Sequence, residues 1–469
     1  MSSTRLVAKN SMIQLVGKAI STALGVAVVA LVTRALLPSG FGQYTKVITF
    51  LSFFGIVADL GLTLITAQMI SEHGADESKI VRSIFSFRII SSFVFFALAP
   101  IAAIFTPYAP LVKFGIALTA FSFFFVSLYQ TLIGVFQKHL VMQYPMIAEI
   151  GGRIILFGVT SYAVWSGGGL LWFLGAVVAG NLANFLLVVI FARRFIDFGL
   201  FSFDWDRAII REMWHRSLPI AVSIIFNLIY LKADMLILSF VRPDFEVGLY
   251  GAAYRVIDIL MMVPVMLMGV ILPIATGAWS AGDATRAGRA LQKTFDAFML
   301  YAIPVVCGGW LVAPRLMALV AGASFTSAGA PLRILLLAFF AATMSTLFGH
   351  FIVALQKQRR VVWVYGTDAV LSLAAYIIFI PLFGMVAAAW ATVGSELYAA
   401  VMLGTVVLRT TGRKINFTIL WRVLISTVLM CGVVFGAMSM HFNIAMDIVI
   451  GAIAYCAALF ALHTHTFFL

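Results

Sequence analysis

Residues 32–44 read VTRALLPSGFGQY and separate two long apolar runs, residues 11–37 and 44–69. Each run is long enough to cross the ~30 Å hydrocarbon core of a membrane as one helix. Pro38 lacks a backbone donor and interrupts helical hydrogen bonding, so the short segment after it forms a joint between the two helices. The same arrangement, an apolar run followed by a short polar joint, recurs to the end of the chain.

The overall composition also indicates a chain that lies mostly in lipid. Of the 469 residues, 63% are hydrophobic and 10% are charged, and the mean hydropathy is +1.08. A water-soluble domain needs a far more polar surface. The sequence therefore predicts an all-α polytopic membrane protein of about fourteen transmembrane helices rather than a barrel. The predicted helices are 11–37, 44–69, 80–105, 111–136, 147–165, 170–192, 218–240, 248–279, 295–312, 332–355, 361–381, 385–408, 421–440 and 444–462.

Basic side chains are distributed unevenly between the two sides of this topology. Twenty of the 31 Lys and Arg residues fall in joints on the side of the N terminus, and six fall on the opposite side. Basic joints stay in the cytoplasm, which predicts a multi-pass inner-membrane protein with a cytoplasmic N terminus. The net charge of +13 then reflects topology, so nucleic acid is not an expected partner.

An internal repeat divides the chain into two halves. The matching motifs are Gly42-Gln43-Tyr44 with Gly248-Leu249-Tyr250, and Phe136-Gln137-Lys138 with Leu355-Gln356-Lys357. They predict two six-helix lobes, related as parallel repeats around a central cavity. The predicted lobes are residues 1–192 and 218–408, and residues 409–469 add two C-terminal helices. Between the lobes, residues 193–217 mix aromatic and basic side chains, which indicates an amphipathic helix on the inner leaflet or a surface that docks a partner.

Ionisable side chains at membrane depth mark binding or pairing sites, because they are costly to bury. In the first half, the substrate-binding candidates are Gln14, Lys18, Arg88 and Arg153, and the coupling or charge-pairing candidates are Asp59 and Glu149. The three cations lie about 10–13 Å from the cytoplasmic ends of their helices. Three cations against two acids leave one positive charge that would attract an anion. In the structural alternative, Glu149 pairs with Arg153, and Asp59 with Lys18.

The second half holds the other candidates. They are Asn227, Tyr230 and Arg255 for substrate binding, and Asp234, Asp258, Asp368 and Glu396 for coupling or charge pairing. Asn227, Tyr230 and Asp234 share one helix face. Arg255 and Asp258 are i, i+3 neighbours, which makes a structural pair an equal alternative.

Several stretches resemble one known family. Residues 32–44 and 58–62 are similar to the opening helices of the polysaccharide transporter (Wzx-type flippase) family. Residues 234–238 and 247–255 resemble its seventh and eighth helices, and Pro381-Leu382-Phe383-Gly384 resembles a later joint. The resemblance implies the MATE-like fold shared with multidrug exporters and lipid II flippases, with alternating access between two lobes.

The resemblance also implies a function and its partners. It implies a flippase that moves a polyprenyl-diphosphate-linked oligosaccharide repeat unit across the cytoplasmic membrane, for exopolysaccharide, O-antigen or capsule synthesis. The expected partners are this substrate and membrane lipids, with a polysaccharide polymerase and glycosyltransferases as further candidates.

The residues also bear on two other classes of function, an antiporter and an enzyme. A cation-coupled MATE-like antiporter of drugs or other small molecules is the alternative, and Asp234, Asp368 and Glu396 keep it open. An enzyme is not expected, because no outward joint is long enough to carry a catalytic site. No cofactor is expected either, since the sequence lacks the Gly-x-x-x-x-Gly-Lys-Ser/Thr phosphate loop of ATPases.

Overall fold

The structure, a computed structural model, describes residues 3–72, 76–196, 204–440 and 443–462. Within these residues there are helices and no β-strand, because helices satisfy their own backbone hydrogen bonds where lipid offers none. Two short 3₁₀ helices occupy joints, at Ala323–Ala328 and Gln358–Arg360. The α-helices are α1 (Ser3–Asp59), α2 (Leu62–Ile70), α3 (Glu77–Ile104), α4 (Pro110–Lys138), α5 (Gln143–Trp165), α6 (Leu170–Ala192), α7 (Arg207–Val241), α8 (Asp244–Ser280), α9 (Ala284–Ala321), α10 (Gly329–Ala354), α11 (Val362–Thr411), α12 (Thr418–Ser439) and α13 (Ile444–Ala461).

The helices account for the predicted number of membrane crossings. Eleven segments of the described chain are long and apolar enough to cross a membrane. Two of them contain α1 and α11, which have 57 and 50 residues and would be roughly 75–85 Å long if straight, far more than one crossing needs. Each is broken and supplies two crossings, and α7 supplies one more. The protein is therefore an all-α multi-pass membrane protein of about fourteen crossings, as predicted.

Both breaks are made by a residue with positive φ. Leu37 has φ 58° and ψ 175°, and Gly384 has φ 62° and ψ −140°. Glycine adopts such angles freely, whereas a residue with a side chain is strained there by about 1–3 kcal/mol. Pro38 follows the first break and lacks the backbone donor that would continue the helix. In the joint of residues 32–44, Pro38 therefore ends the helical hydrogen bonding, and the strained Leu37 changes the direction of the chain.

Helix α7 begins within the segment between the two predicted lobes. The structure continues residues 207–217 into the seventh crossing as one helix. Ile210 and Met213, on the apolar side of this segment, are buried against α2 and α3. The apolar side is thus covered by protein.

Ion pairs hold the start of α7 to the neighbouring helices outside the apolar core. Lys79 Nζ lies 2.8 Å from Asp206 Oδ2, and Arg216 pairs with Glu72. The hydrogen bond from Lys79 and two backbone N–H groups of α7 lower the pKa of the Asp206 carboxyl. The hydrogen bond from Arg216 likewise lowers the pKa of the Glu72 carboxyl. Both acids therefore stay ionised in the contacts that fix this end of α7.

The chain divides into two compact units, Met1–Gly248 and Leu249–Leu469. In the first unit, α1, α3, α4 and α6 share a core that includes Leu51, Ile116 and Leu174. The second unit has its main core around Phe351 and Leu403. There α12 and α13 pack on α9, and the Tyr455 hydroxyl of α13 donates to the Leu300 carbonyl at 2.9 Å. The last two helices are therefore part of the second unit.

Helices α5 and α6 approach each other backbone to backbone at two glycines. A Cβ placed on Gly152 would lie 2.7 Å from the carbonyl oxygen of Gly180, and one on Gly180 would lie 2.9 Å from that of Gly152. Real side chains do not make contacts this short, so only glycine fits. Gly158, also on α5, is exposed and would bring a Cβ within 4 Å of nothing in the described chain.

Gly152→Ala is therefore expected to destabilise the protein, because the added methyl group would force α5 and α6 apart. We expect a loss of about 1–3 kcal/mol, measured as a lower thermal midpoint of the detergent-purified protein. Gly158→Ala makes the same chemical change on the same helix and should alter stability by less than about 0.5 kcal/mol. Equal midpoints for the two variants would contradict the close packing.

Candidate functional site

The first unit contains a charged cluster built on α1 and α5. Lys18 Nζ lies 3.3 Å from Glu149 Oε1, and the Ser21 hydroxyl donates to the same oxygen at 2.6 Å. Lys18 and Ser21 are i, i+3 neighbours, so they present adjacent side chains on one face of α1. The Lys18 side chain remains 49% exposed despite the ion pair. The lysine is therefore paired and still accessible from outside the protein.

Arg153 adds a second cation to this cluster. It lies one turn beyond Glu149 on α5, and its Nη1 would be 3.9 Å from a Cβ on Gly25, so its guanidinium lies against α1. Arg153 is half-buried and forms no hydrogen bond or contact ion pair with a described residue. Gln14, the other candidate on α1, is half-buried one turn before Lys18. Glu149 pairs with Lys18 and not with Arg153, so the cluster of two cations and one acid keeps one positive charge.

Arg88 occupies a different environment, in the interior of the first unit. It is 1% exposed, and Nη2 donates to Asp59 Oδ1 at 2.8 Å. Nη1 donates to the Ala58 carbonyl at 2.9 Å, and Nε to the Ser127 carbonyl at 3.3 Å. All three of its nitrogens are thus used by the protein. The arginine fixes the end of α1 against α3 and α4.

The pairing of Asp59 with Lys18 in the structural alternative is wrong. Asp59 does not neutralise Lys18; it pairs with Arg88, and Lys18 pairs with Glu149. The reason is a turn inside the second crossing, where α1 ends at Asp59 and Gly61 has φ 83°. Thr63 donates to Asp59 Oδ1 at 2.6 Å across this turn. Counting depth along an uninterrupted helix cannot show that the turn directs the carboxylate towards α3.

The candidates from the middle of the chain are more dispersed. Asp234 is buried, at 1% exposure. Arg255 Nη1 lies 3.6 Å from Asp258 Oδ2 within α8, and both side chains are more than 40% exposed. The side chains of Asn227 and Tyr230 lie outside the described residues. The structure therefore brings Arg255 and Asp258 together as neighbours on one helix.

Two of the candidate acids are buried in the second unit. Asp368 is 1% exposed, and the Ser395 hydroxyl donates to its Oδ1 at 2.7 Å, whereas its Oδ2 has no hydrogen-bond partner in the described chain. Glu396 is 7% exposed and accepts from the Ser345 hydroxyl at 2.7 Å. Both acids were predicted from the sequence as candidates, whereas the two serines were not, because a serine in an apolar helix carries no distinctive signal.

Asp368 corresponds in position to the acid of the charged cluster. It is the seventh residue of α11, as Glu149 is the seventh residue of α5. Glu149 accepts from a lysine and a serine, whereas the Asp368 carboxylate accepts from the Ser395 hydroxyl. The repeat therefore places an acid at the same helical position in both halves, with different partners.

The structure offers no evident metal centre. Within the described ranges, no three or more His, Cys, Asp or Glu side chains are grouped so that they could hold a metal ion. Cys307 and Cys431 are half-buried and Cys456 is exposed, all as free thiols.

Solved structures share this fold along nearly the whole chain. The lipid II flippase MurJ in an inward closed conformation matches with a TM-score of 0.76 and 12% identity, covering 98% of this chain and 99% of that one. An inward-facing multidrug resistance MATE family transporter of the MOP superfamily matches with a TM-score of 0.70 and 14% identity, covering 86% and 98%. At these identities the likeness shows the fold alone. The predicted MATE-like fold is confirmed.

A curated relative and two family models add sequence evidence. The probable low-salt glycan biosynthesis flippase Agl15 of Haloferax volcanii is 25% identical over 226 residues. That match covers 48% of this chain and 48% of the relative, so the chain is aligned with about half of that protein's length. A MatE family model matches residues 219–375, and the model described as polysaccharide biosynthesis protein matches residues 7–279. Because this last match takes in more than half of the chain, the protein belongs to the polysaccharide biosynthesis protein family.

Proposed function

We propose that this protein is a flippase that moves a polyprenyl-diphosphate-linked oligosaccharide across the cytoplasmic membrane for surface-polysaccharide synthesis. The observation that carries the proposal is the charged cluster on α1 and α5, where Lys18 pairs with Glu149 and the guanidinium of Arg153 lies against α1 without a contact ion pair. The family and the flippase relative support the same class of cargo. No catalytic step is part of this function.

The cluster suits a diphosphate for electrostatic reasons. A diphosphate brought to membrane depth loses hydration, so an accessible cation attracts it more strongly than in water. Arg153 offers a planar guanidinium that can donate two parallel hydrogen bonds to phosphate oxygens, and Lys18 adds a compact positive charge. Glu149 pairs with Lys18, and the Ser21 hydroxyl holds the same carboxylate oxygen in place. Gln14 extends the polar face of α1 beside them.

The other candidates take supporting roles in this proposal. Arg88 and Asp59 hold the break in the second crossing, and Asn227, Tyr230 and Arg255 remain proposed substrate contacts. In the proposed topology the N terminus is cytoplasmic, and the lobes 1–192 and 218–408 alternate in access. Residues 193–217 connect these lobes, and residues 409–469 add two helices. A polysaccharide polymerase and glycosyltransferases are proposed partners.

A cation-coupled antiporter of small molecules is the second candidate function, and one observation favours it. The buried Asp368 carboxylate has an oxygen without a hydrogen-bond partner in the described chain, which is an arrangement that can take up a proton or a cation. The MatE family model also covers this residue. In the flippase proposal, Asp234, Asp368 and Glu396 would serve coupling, and Asp258 and Glu149 charge pairing.

Deletion of the gene separates the two functions. For a flippase, we expect loss of surface polysaccharide and accumulation of polyprenyl-diphosphate oligosaccharide on the inner leaflet, measured by lipid extraction and mass spectrometry. Complementation with the intact chain should reverse both effects. Normal polysaccharide together with new sensitivity to cationic drugs would instead support the antiporter.

Substitutions at Lys18 and Glu149 test the anion site. Lys18→Ala should lower polysaccharide export at least tenfold, because it removes the accessible charge, and Lys18→Arg should lower it less. The double variant Lys18→Ala with Glu149→Gln removes the stranded carboxylate as well and should remain inactive. Lys414→Ala, at an exposed lysine just after α11, is the control and should export normally. Export must be compared at equal membrane levels. Full recovery of export in the double variant would show that Lys18 serves only to pair with Glu149.

The buried pair of Arg88 and Asp59 should instead respond as a structural element. Asp59→Asn strands a cation that is 1% exposed, so we expect a loss of stability of about 3–5 kcal/mol. Arg88→Met should cost less, because Asp59 is 25% exposed and keeps the donors Thr63 and Gly61. The double variant should recover part of the loss. Thermal midpoints in detergent measure this order. Asp258→Asn, in the more exposed pair with Arg255, is the control and should change stability by close to zero.

A further inference from the structure

The two repeated joints of the chain meet each other in the first unit. A Cβ placed on Gly42 would overlap the backbone carbonyl of Asp244, and one on Gly248 would overlap the carbonyl of Pro38. Gly42 follows Pro38 in the first joint, and Gly248 follows Pro243 in the second. Each joint therefore presents a glycine to a carbonyl at the start of the other. We call this reciprocal contact, between residues 38–46 and 242–248, the joint seam.

Polar side chains fasten the joint seam. Lys46 Nζ lies 2.6 Å from Asp244 Oδ1 and 3.3 Å from the Arg242 carbonyl. Gln43 Nε2 donates to Asp244 Oδ2 at 2.9 Å. Both carboxylate oxygens of Asp244 are thus bound from the opposite joint. The Lys46 side chain is 10% exposed, so this ion pair is largely shielded from water.

The joint seam differs from the apolar contacts that hold the rest of the unit together. An apolar contact loses the whole hydrophobic contribution when water enters it. The contacts of Lys46 and Gln43 with Asp244 are polar, and water can replace them when the charged groups separate, whereas Phe41 and Val247 in the same ranges are buried apolar residues. Glycine contacts add close packing without interlocking side chains. The joint seam therefore combines close backbone packing with polar contacts that can form and break.

Backbone strain lies beside the joint seam. Leu37 has φ 58° and ψ 175°, in a region that glycine normally occupies, and it is bonded to Pro38, whose carbonyl faces Gly248. Strained residues persist where the surrounding structure holds them, and they cluster at segments that switch between conformations. Parting of the seam would free Leu37 to relax. The strain therefore favours opening once the polar contacts are lost.

We infer that the joint seam is a reversible latch, closed here and opened once in each transport cycle, with Lys46 and Asp244 as its fastening pair. The inference rests on the proposed transport function for its role in the cycle. The latch itself is a statement about conformation, so it can be measured without any cargo. It assigns Lys46, Gln43 and Asp244 a role in controlling access rather than in binding substrate.

A distance measurement tests the latch directly. Spin labels go on Ser39→Cys and Phe245→Cys, two exposed positions in the two joints, after Cys307, Cys431 and Cys456 have been replaced by Ser. We expect one short distance for the otherwise intact protein and about a tenfold larger long-distance population after Asp244→Asn. The exchange Lys46→Asp with Asp244→Lys should restore the short distance. Glu212→Gln, an acid of an exposed pair elsewhere, should leave the distribution unchanged.

Cross-linking tests whether the latch must open. Cysteines at Gln43→Cys and Asp244→Cys, joined by a short reducible bifunctional reagent, should stop polysaccharide export until the link is reduced. The control pair, Glu77→Cys with His139→Cys, joins the start of α3 to the end of α4. In the intact protein Glu77 Oε1 lies 3.1 Å from His139 Nε2. A cross-link between these two positions should leave export unchanged.

The two experiments separate the latch from the proposed cargo. Full export by the fully cross-linked seam, or an Asp244→Asn distribution identical to that of the intact protein, would overturn the latch. Asp244→Asn could lengthen the distance between the two spin labels while deletion of the gene leaves surface polysaccharide unchanged. That pair of results would support the latch and refute the flippase function.

Discussion

Exclusion of water from the hydrocarbon core is the constraint on which the whole structure depends. It forces the backbone into helices, because no other partner exists for exposed N–H and C=O groups. It also requires that a charge carried into the membrane either find a partner or reach water. Arg88 and Asp59 meet this requirement by mutual burial, and Lys18 meets it by pairing while it stays exposed. In the second unit, Asp368 and Glu396 each accept a hydrogen bond from a serine hydroxyl.

The same constraint explains why so much of the fold follows from the sequence. Apolar length fixes the number of crossings, and Pro38 and the Pro381-Leu382-Phe383-Gly384 joint mark two of the turns between them. The start of α7 was not predictable in this way, because residues 207–217 are too polar to belong to an apolar run. Their helix is capped by Asp206 and docked by side chains from α2 and α3. Tertiary contacts, rather than local pattern, decide its boundary.

The candidate site was predictable in its members and less so in its pairings. Lys18, Arg88, Asp59 and Glu149 are conspicuous in apolar helices, and helical rise gives their depth. The depth of a residue does not show towards which neighbouring helix its side chain points once a turn interrupts its own helix. The turn at Gly61 sits within an apolar run and is marked by little more than one glycine, yet it decides that Asp59 faces Arg88. The roles of the charged residues in transport remain proposals that the experiments above address.

Glu149 and Asp368 occupy the seventh position of α5 and α11, and their neighbours differ. Glu149 accepts from a lysine and a serine, and Asp368 accepts from a serine alone among the described contacts. An acid at one helical position can therefore carry a nearby positive charge in one helix and stand without one in another, through a change of a few side chains on the helices that face it.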